Sequence, residues 1–294
     1  MVIHLDYGNS KKIMKEIYPN INIIGGGLIG VAVAYSLSKL GFKITILEKN
    51  PPYNLNKNDT DQRTVAISEG TKNFLENIGI WKEIKTLAEP IKQIKIVDRK
   101  ISNNLDFDNK RRSSNLGYIV KNKHVLDIFY KKLKKNKKVK IFNNTNIIKI
   151  ENQKERIITE TKNLKIFSEL NIAADGKKSF IKKINKTPFF KKEYKKKALV
   201  IQCTHSKNHF GTAFELFYKN GPLAILPMKK QGRKFASSIV WTNDSEYLDS
   251  LLDMDKIKLK FILNESTKLS VGQITSVDNM QLFPLSAHIN TQIL

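Results

Sequence analysis

"INIIGGGLIGVAVAYSLSKLGFKITILEKN" (21–50) decides how this chain folds. Its first four residues are an apolar run ending at glycine, suited to a buried parallel strand. Residues 28–40 carry helical spacing, with Leu28, Ala32, Tyr35 and Leu40 as the expected packed face. "KITILE" (43–48) then reads as a second, β-branched strand. A membrane anchor and a simple buried helix are the competing readings of so apolar a run, and this strand–turn–helix–strand order excludes both. Gly25, Gly27 and Gly30 give G-x-G-x-x-G between strand and helix. Gly25 allows a tight turn, Gly27 lets main chain approach a pyrophosphate, and Gly30 lets the helix lie close to the strand. Glu48 follows Gly30 by 18 residues, close to the ~20 at which an acid reaches ribose hydroxyls. A carboxylate there also repels a 2′-phosphate. The segment specifies a dinucleotide pocket, and by itself leaves NAD and FAD equally open.

The remaining composition narrows the field. With 294 residues and 40% hydrophobic residues, the chain is long enough for one large or two modest domains and is not disordered. Its one cysteine, Cys203, excludes an internal disulfide and a multi-cysteine zinc site, and fits a reducing compartment. The net charge of +25 would suit nucleic acid or an anionic membrane. Lysine, isoleucine and asparagine are abundant throughout, however, as biased codon use produces. No arginine–aromatic interleaving marks a nucleic-acid face, so no nucleic-acid partner is expected. The run "KKLKKNKKVK" (131–140) is expected to end a helix and lead into a strand. No uninterrupted apolar stretch reaches the ~18 residues of a membrane span. Residues 1–20 lack an apolar core and read as an extension with a short helix over 10–17, neither a secretory signal nor a transit peptide.

Two later stretches choose the cofactor. They are "DQRTVAIS" (61–68), followed by "GIW" (79–81), and "LNIAADGKKSFIKK" (170–183). These resemble the FAD-dependent aromatic hydroxylases of the p-hydroxybenzoate hydroxylase type, and among them the ubiquinone-biosynthesis hydroxylases. The shared positions include Asp61, Arg63, Ala66, Ser68, Gly79 and Trp81. "LGYIVKN" (116–122), "HFGTAFELFYKNGPLAILPM" (209–228), "SIVWT" (238–242) and "FPL" (283–285) continue the similarity in order, over roughly 21–290. One departure is Lys182, where the family often has arginine, so bidentate phosphate recognition is lost there.

The resemblance implies an α/β fold: a Rossmann-like FAD-binding domain over 21–185, with substrate-side strands inserted near 91–107, and a second, antiparallel-sheet substrate domain over 186–294. Gly25, Gly27, Leu28, Ile29, Gly30, Glu48, Lys49, Arg63 and Asp175 form the candidate FAD-binding set. Beside these roles stand plainer ones: Arg63 paired with Asp59 or Asp61, and Asp175 capping the next turn. Leu223, Ile225, Leu226, Trp81 and Trp241 read as core. His205 and His209 have spacing for a metal pair but no completing carboxylates, so "HSKNH" reads as an exposed loop and no metal is expected. No catalytic acid or base is nominated, because in this family reduced flavin activates oxygen while the protein orients the ring and excludes water. The implied substrate is a lipophilic, polyprenylated phenol of ubiquinone synthesis, with NAD(P)H or another donor as reductant. A cytoplasmic location with peripheral contact on the inner membrane face follows. The chain stops before the family's third flavin motif, so the resemblance implies either one piece of a split enzyme, completed by a C-terminal chain or within a quinone-biosynthesis complex, or a truncated remnant inactive alone. Another FAD oxidoreductase on the same scaffold, and a non-catalytic basic binding protein, are the alternatives.

Overall fold

The computed structural model describes residues 14–50, 61–98, 105–108, 114–177, 179–184, 187–268 and 270–290. In chain order the elements are β1 (Lys15–Ile17), β2 (Ile21–Ile24), α1 (Leu28–Lys39), β3 (Ile44–Leu47), β4 (Thr64–Ile67), α2 (Glu69–Asn77) and α3 (Trp81–Lys85). Next come β5 (Glu89–Ile91), β6 (Gln93–Asp98), β7 (Leu105–Asp108), β8 (Gly117–Lys121), α4 (Asn122–Lys135), β9 (Val139–Phe142), β10 (Ile147–Asn152) and β11 (Ile157–Thr161). They are followed by β12 (Leu164–Ser168), β13 (Leu170–Ala173), α5 (Phe180–Ile184), β14 (Phe189–His205), β15 (Thr212–Tyr218) and β16 (Gly221–Gln231). The last are β17 (Lys234–Asp244), α6 (Ser245–Leu252), α7 (Lys256–Thr267) and β18 (Ile274–Asn290). They divide into two compact units, Met1–Pro52 with Tyr130–Thr187, and Tyr53–Phe129 with Pro188–Leu294.

The first unit holds a four-stranded parallel sheet in the order β13-β2-β3-β9. Every residue of β2 and β3 is buried, as an apolar run covered on both faces requires. α1 packs against these two strands, and a second sheet, β1-β12-β11-β10, contacts β2 through β12. At the sheet's edge β13 is more open, with Leu170 48% exposed.

Two expectations for this unit need correction. Lys15–Ile17 is a strand, paired in parallel with β12 and burying Ile17, where a helix over 10–17 was expected; residues 10–13 lie outside the described residues. Its Lys-Glu-Ile side chains gain a ladder and a buried partner surface that an isolated helical turn would lack. The buried face of α1 is Gly30, Val31, Ala34 and Ser38, whereas Leu28, Ala32 and Tyr35 are half-buried and Leu40 is 75% exposed. The reason is close approach. Gly30 lies so near the strand that a Cβ on it would stand 1.9 Å from the Gly25 carbonyl oxygen. That contact orients the helix, and Ala34 and Ser38, at four-residue steps, continue the small-residue row.

The second unit is organised by a seven-stranded sheet, β18-β14-β17-β16-β15-β6-β7. Only the β15–β6 pair is parallel. Alternation along these strands gives the sheet two faces. One, with Leu199, Ile201, Leu223, Ile225, Ile239 and Trp241, packs on Leu248 and Leu251 of α6 and Leu259 and Leu263 of α7. On the other, Ala213, Met228 and Ala236 pack with Ile91 and Ile119 of the small sheet β4-β8-β5. Leu223, Ile225, Trp81 and Trp241 are core, as expected, while half-buried Leu226 packs on the second of these faces.

"HSKNH" is in part the exposed loop that its polarity suggested, with Ser206 and Lys207 exposed, but the histidines at its two ends are buried. His205 ends β14 and is 2% exposed, and His209 is 6% exposed. Each ring is buried because its hydrogen bonds are complete. His205 Nδ1 lies 2.9 Å from the Lys207 carbonyl and Nε2 2.9 Å from Ser237 Oγ; His209 Nδ1 accepts from Gly211 N and Nε2 lies 3.1 Å from the Met228 carbonyl.

Candidate cofactor site

The glycine turn is built by main chain. β2 ends at Gly25, whose φ of +107° suits glycine, and whose N–H donates to Leu47 O at 2.8 Å. A Cβ at Gly25 would meet the Ala174 carbonyl oxygen at 2.4 Å, so the main chain just before Asp175 closes the turn from β13. Gly26 is held on both sides: its N–H donates to Glu48 Oε2 at 2.5 Å, and its carbonyl accepts from Tyr130 Oη at 2.8 Å. Glu48 Oε1 accepts from Asn50 N at 2.8 Å. The structure therefore brings Gly25, Gly27, Gly30, Glu48 and the main chain at Asp175 to one place. Tyr130, buried and 104 residues from Gly26, is a member that sequence reasoning missed. Gly26, the glycine that the G-x-G-x-x-G spacing does not require, is its one clue.

Gly27 behaves differently from its neighbours. It is the N-cap of α1, offers no side-chain hydrogen bond, and nothing lies within 4 Å of where its Cβ would be. The first turn of α1 contains no acidic residue. By contrast α2 and α7 are capped by the side chains of Ser68 and Asp255. An uncapped helix start, with free N–H groups and open space before it, is what an anionic pyrophosphate needs. The donor set present here fits that group. Leu28 is half-buried and Ile29 70% exposed at this helix start, and Lys49 is exposed beyond β3.

The other candidates take their plainer roles in the geometry. Asp175 Oδ2 accepts from Phe180 N at 2.7 Å and so starts α5. Arg63 lies in the second unit and makes a two-pronged pair with Asp61, at 2.8 and 2.9 Å. Its guanidinium also lies 5.4 Å from the Phe283 ring centre, and its side chain is 47% exposed. Gln62, between them, is tied into the large sheet: its carbonyl accepts from Gln202 Nε2 at 2.9 Å, and its N–H donates to Gln281 Oε1 at 3.3 Å.

Also in the second unit, Asn122 Oδ1 and His124 Nδ1 are buried without a hydrogen-bond partner among the described residues. Both sit in the first turn of α4. Burial lowers the pKa of His124 and of neighbouring Lys121, so this helix start holds its charges weakly. Among the described residues, no group of three or more His, Cys, Asp or Glu could hold a metal ion.

A parallel sheet, a glycine turn opening a helix, and an acid closing the next strand define a dinucleotide-binding α/β protein. Comparison with known proteins gives the family: residues 19–291 match the FAD binding domain family, and the chain belongs to it. It is similar to a ubiquinone hydroxylase of Rhodospirillum rubrum (26% identity; 79% of this chain, 54% of the relative). It is also similar to the mitochondrial ubiquinone biosynthesis monooxygenase of Drosophila melanogaster (26%; 84% and 54%). A third relative is the 3-demethoxyubiquinol 3-hydroxylase of Escherichia coli (22%; 87% and 65%). The chain thus spans between about half and two thirds of the length of these relatives. The fold matches the crystal structure of p-nitrophenol 4-monooxygenase from Pseudomonas putida DLL-E4 with a TM-score of 0.74 (16% identity; 95% of this chain, 70% of that one). It also matches the flavin-dependent monooxygenase PieE in complex with FAD and substrate, with a TM-score of 0.70 (10%; 94% and 51%).

Proposed function

We propose that this chain is the cofactor- and ring-binding part of an FAD-dependent aromatic hydroxylase that acts on a polyprenylated phenol of ubiquinone biosynthesis. In this reading the first unit binds FAD and the second forms the substrate domain. The observation that carries it is the uncapped start of α1 at Gly27, next to Glu48. The names of the relatives support the substrate class. When bound and reduced by NAD(P)H or another donor, FAD supplies the oxygen-activating chemistry. The chain's own residues do the rest. The N–H groups of α1 receive the pyrophosphate and Glu48 receives ribose hydroxyls, while Arg63 is a permanent, planar cation of the kind that suits phosphate or ribityl oxygens. So lipophilic a substrate is met at a membrane surface, which the reading takes to be the cytoplasmic face; no helix among the described residues is long and apolar enough to cross one. A quinone-biosynthesis complex is the partner that fits this role.

Titration with FAD, followed by quenching of flavin fluorescence, tests the reading. Saturable binding, weakened at least tenfold by Glu48→Ala, is expected. No binding by the folded chain, or binding indifferent to Glu48→Ala, overturns it.

A further inference from the structure

One row of side chains across the large sheet contains a single ionisable group. Register puts Glu215 of β15 opposite Ile96 of β6 and Ala224 of β16. From Ala224 the row passes to Val240, Val200 and Gln281. It lies on the face turned away from α6 and α7, because the next residues along, Leu216, Leu223, Trp241 and Leu199, belong to the core those helices cover.

Glu215 is half-buried, and among the described residues its carboxylate makes no hydrogen bond or ion pair. Burial alone pushes its carboxyl above the usual carboxylate range, with no cation opposing the shift. A half-buried carboxylate with no partner among the described residues costs stability in a row that Ala224 and Val240 show can be filled by apolar side chains. Such a residue is a candidate for binding something outside the chain. No donor among the described residues stands by it, so a group that brings its own proton would complete its hydrogen bonding.

Resting on the aromatic-hydroxylase reading above, we infer that Glu215 selects the substrate: its carboxylate accepts the O–H of a neutral phenol and its charge repels rings that bear a carboxylate. A phenol titrates near 10, so it stays the donor to this carboxylate, in a charge-assisted bond. The same bond draws the proton from the ring oxygen and makes the ring more electron-rich, which suits attack on a ring carbon. Repulsion of anionic rings supplies the rejecting half of specificity.

The test measures binding by equilibrium dialysis to the full chain at saturating FAD. The probes are a 2-prenylphenol, its methyl ether, and the 4-carboxylate of the same phenol. The chain is expected to bind the phenol about tenfold or more tighter than either other probe, as a hydrogen bond to a charged group would give. Glu215→Gln, which keeps an accepting oxygen, should hold the phenol within about threefold yet lose the bias against the carboxylate. Glu215→Arg should prefer the carboxylate. Equal binding of phenol and methyl ether by the unmodified chain, an unchanged charge preference in both variants, or no phenol binding overturns the assignment. FAD binding, followed in the same samples, separates the causes. If FAD binds and discrimination fails, only the role of Glu215 falls; if FAD does not bind, the hydroxylase reading falls and this inference with it.

Discussion

On the proposed reading, the turn at Gly25–Gly30 and the sheet row at Glu215 meet their ligands by opposite means. In the first unit no side chain caps the start of α1 and nothing lies within 4 Å of a Cβ at Gly27, so main-chain N–H groups are what a ligand would meet. Gly26 is fixed by Glu48 and Tyr130, and Gly30 by contact with Gly25, so the N–H groups ahead of α1 are held in place without a cap. In the second unit the main chain is a regular ladder, and a single unpartnered side chain, Glu215, breaks an uncharged row. The first arrangement is general, since any pyrophosphate satisfies it. The second, as inferred above, would be selective, because it distinguishes one ring from another. On the proposed reading, the two units divide the task into holding the cofactor and choosing the substrate.

If that division is right, the first unit should be intolerant of added atoms at its packed glycine. Gly30→Ala puts a methyl group 1.9 Å from the Gly25 carbonyl oxygen, backbone against backbone with nothing flexible to yield. A loss of about 3 kcal/mol in urea unfolding is expected, the upper range for overpacking. Retention of full stability would mean that α1 is not seated on the turn as described.

The second unit should instead be sensitive to acid. His205 and His209 are neutral in the fold, and burial lowers the pKa of each; His209 adds to the effect on His205, and Lys230 to that on His209. An unfolded histidine titrates near ~6.5. Above that, neither state binds the proton. Below it the unfolded chain does and the folded one does not, so stability falls with falling pH until the lowered folded value is passed. The slope is up to about 1.4 kcal/mol per pH unit for each ring. Unfolding midpoints between pH 7.5 and 5.5 should show it, and His209→Gln should flatten it by about a third, since burial lowers the pKa of His124 as well. A curve unchanged by that variant would mean His209 is protonated in the fold.

Legibility follows the same division. The G-x-G-x-x-G spacing and Glu48 could be read from sequence because they reflect local backbone sterics within 30 residues. The buried face of α1 could not, since the helix is apolar nearly all round, and the contact at Gly30 chose among its faces. Tyr130 and Gln62 were passed over because their partners, Gly26 and Gln202, lie 104 and 140 residues away. The burial of the two histidines of "HSKNH" is not legible in the segment, because distant groups, the Met228 carbonyl and Ser237, help to satisfy their rings. Glu215 was quoted in its strand, but its isolation belongs to the row of strands on either side, and one segment does not reveal that.

The smallest structural effect expected anywhere in the turn is the most informative. Gly27→Ala adds its methyl into open space, at a residue whose φ of −71° any amino acid adopts. At an N-cap, glycine and alanine differ by less than about 1 kcal/mol, so unfolding should barely move. FAD binding should nevertheless weaken by about tenfold or more, because the added methyl occupies the approach to the N–H groups of α1. Stability and affinity then separate at Gly27 and collapse together at Gly30. Were both variants to lose affinity only in proportion to stability, the glycines would serve packing alone, and the open space before α1 would not be where the pyrophosphate binds.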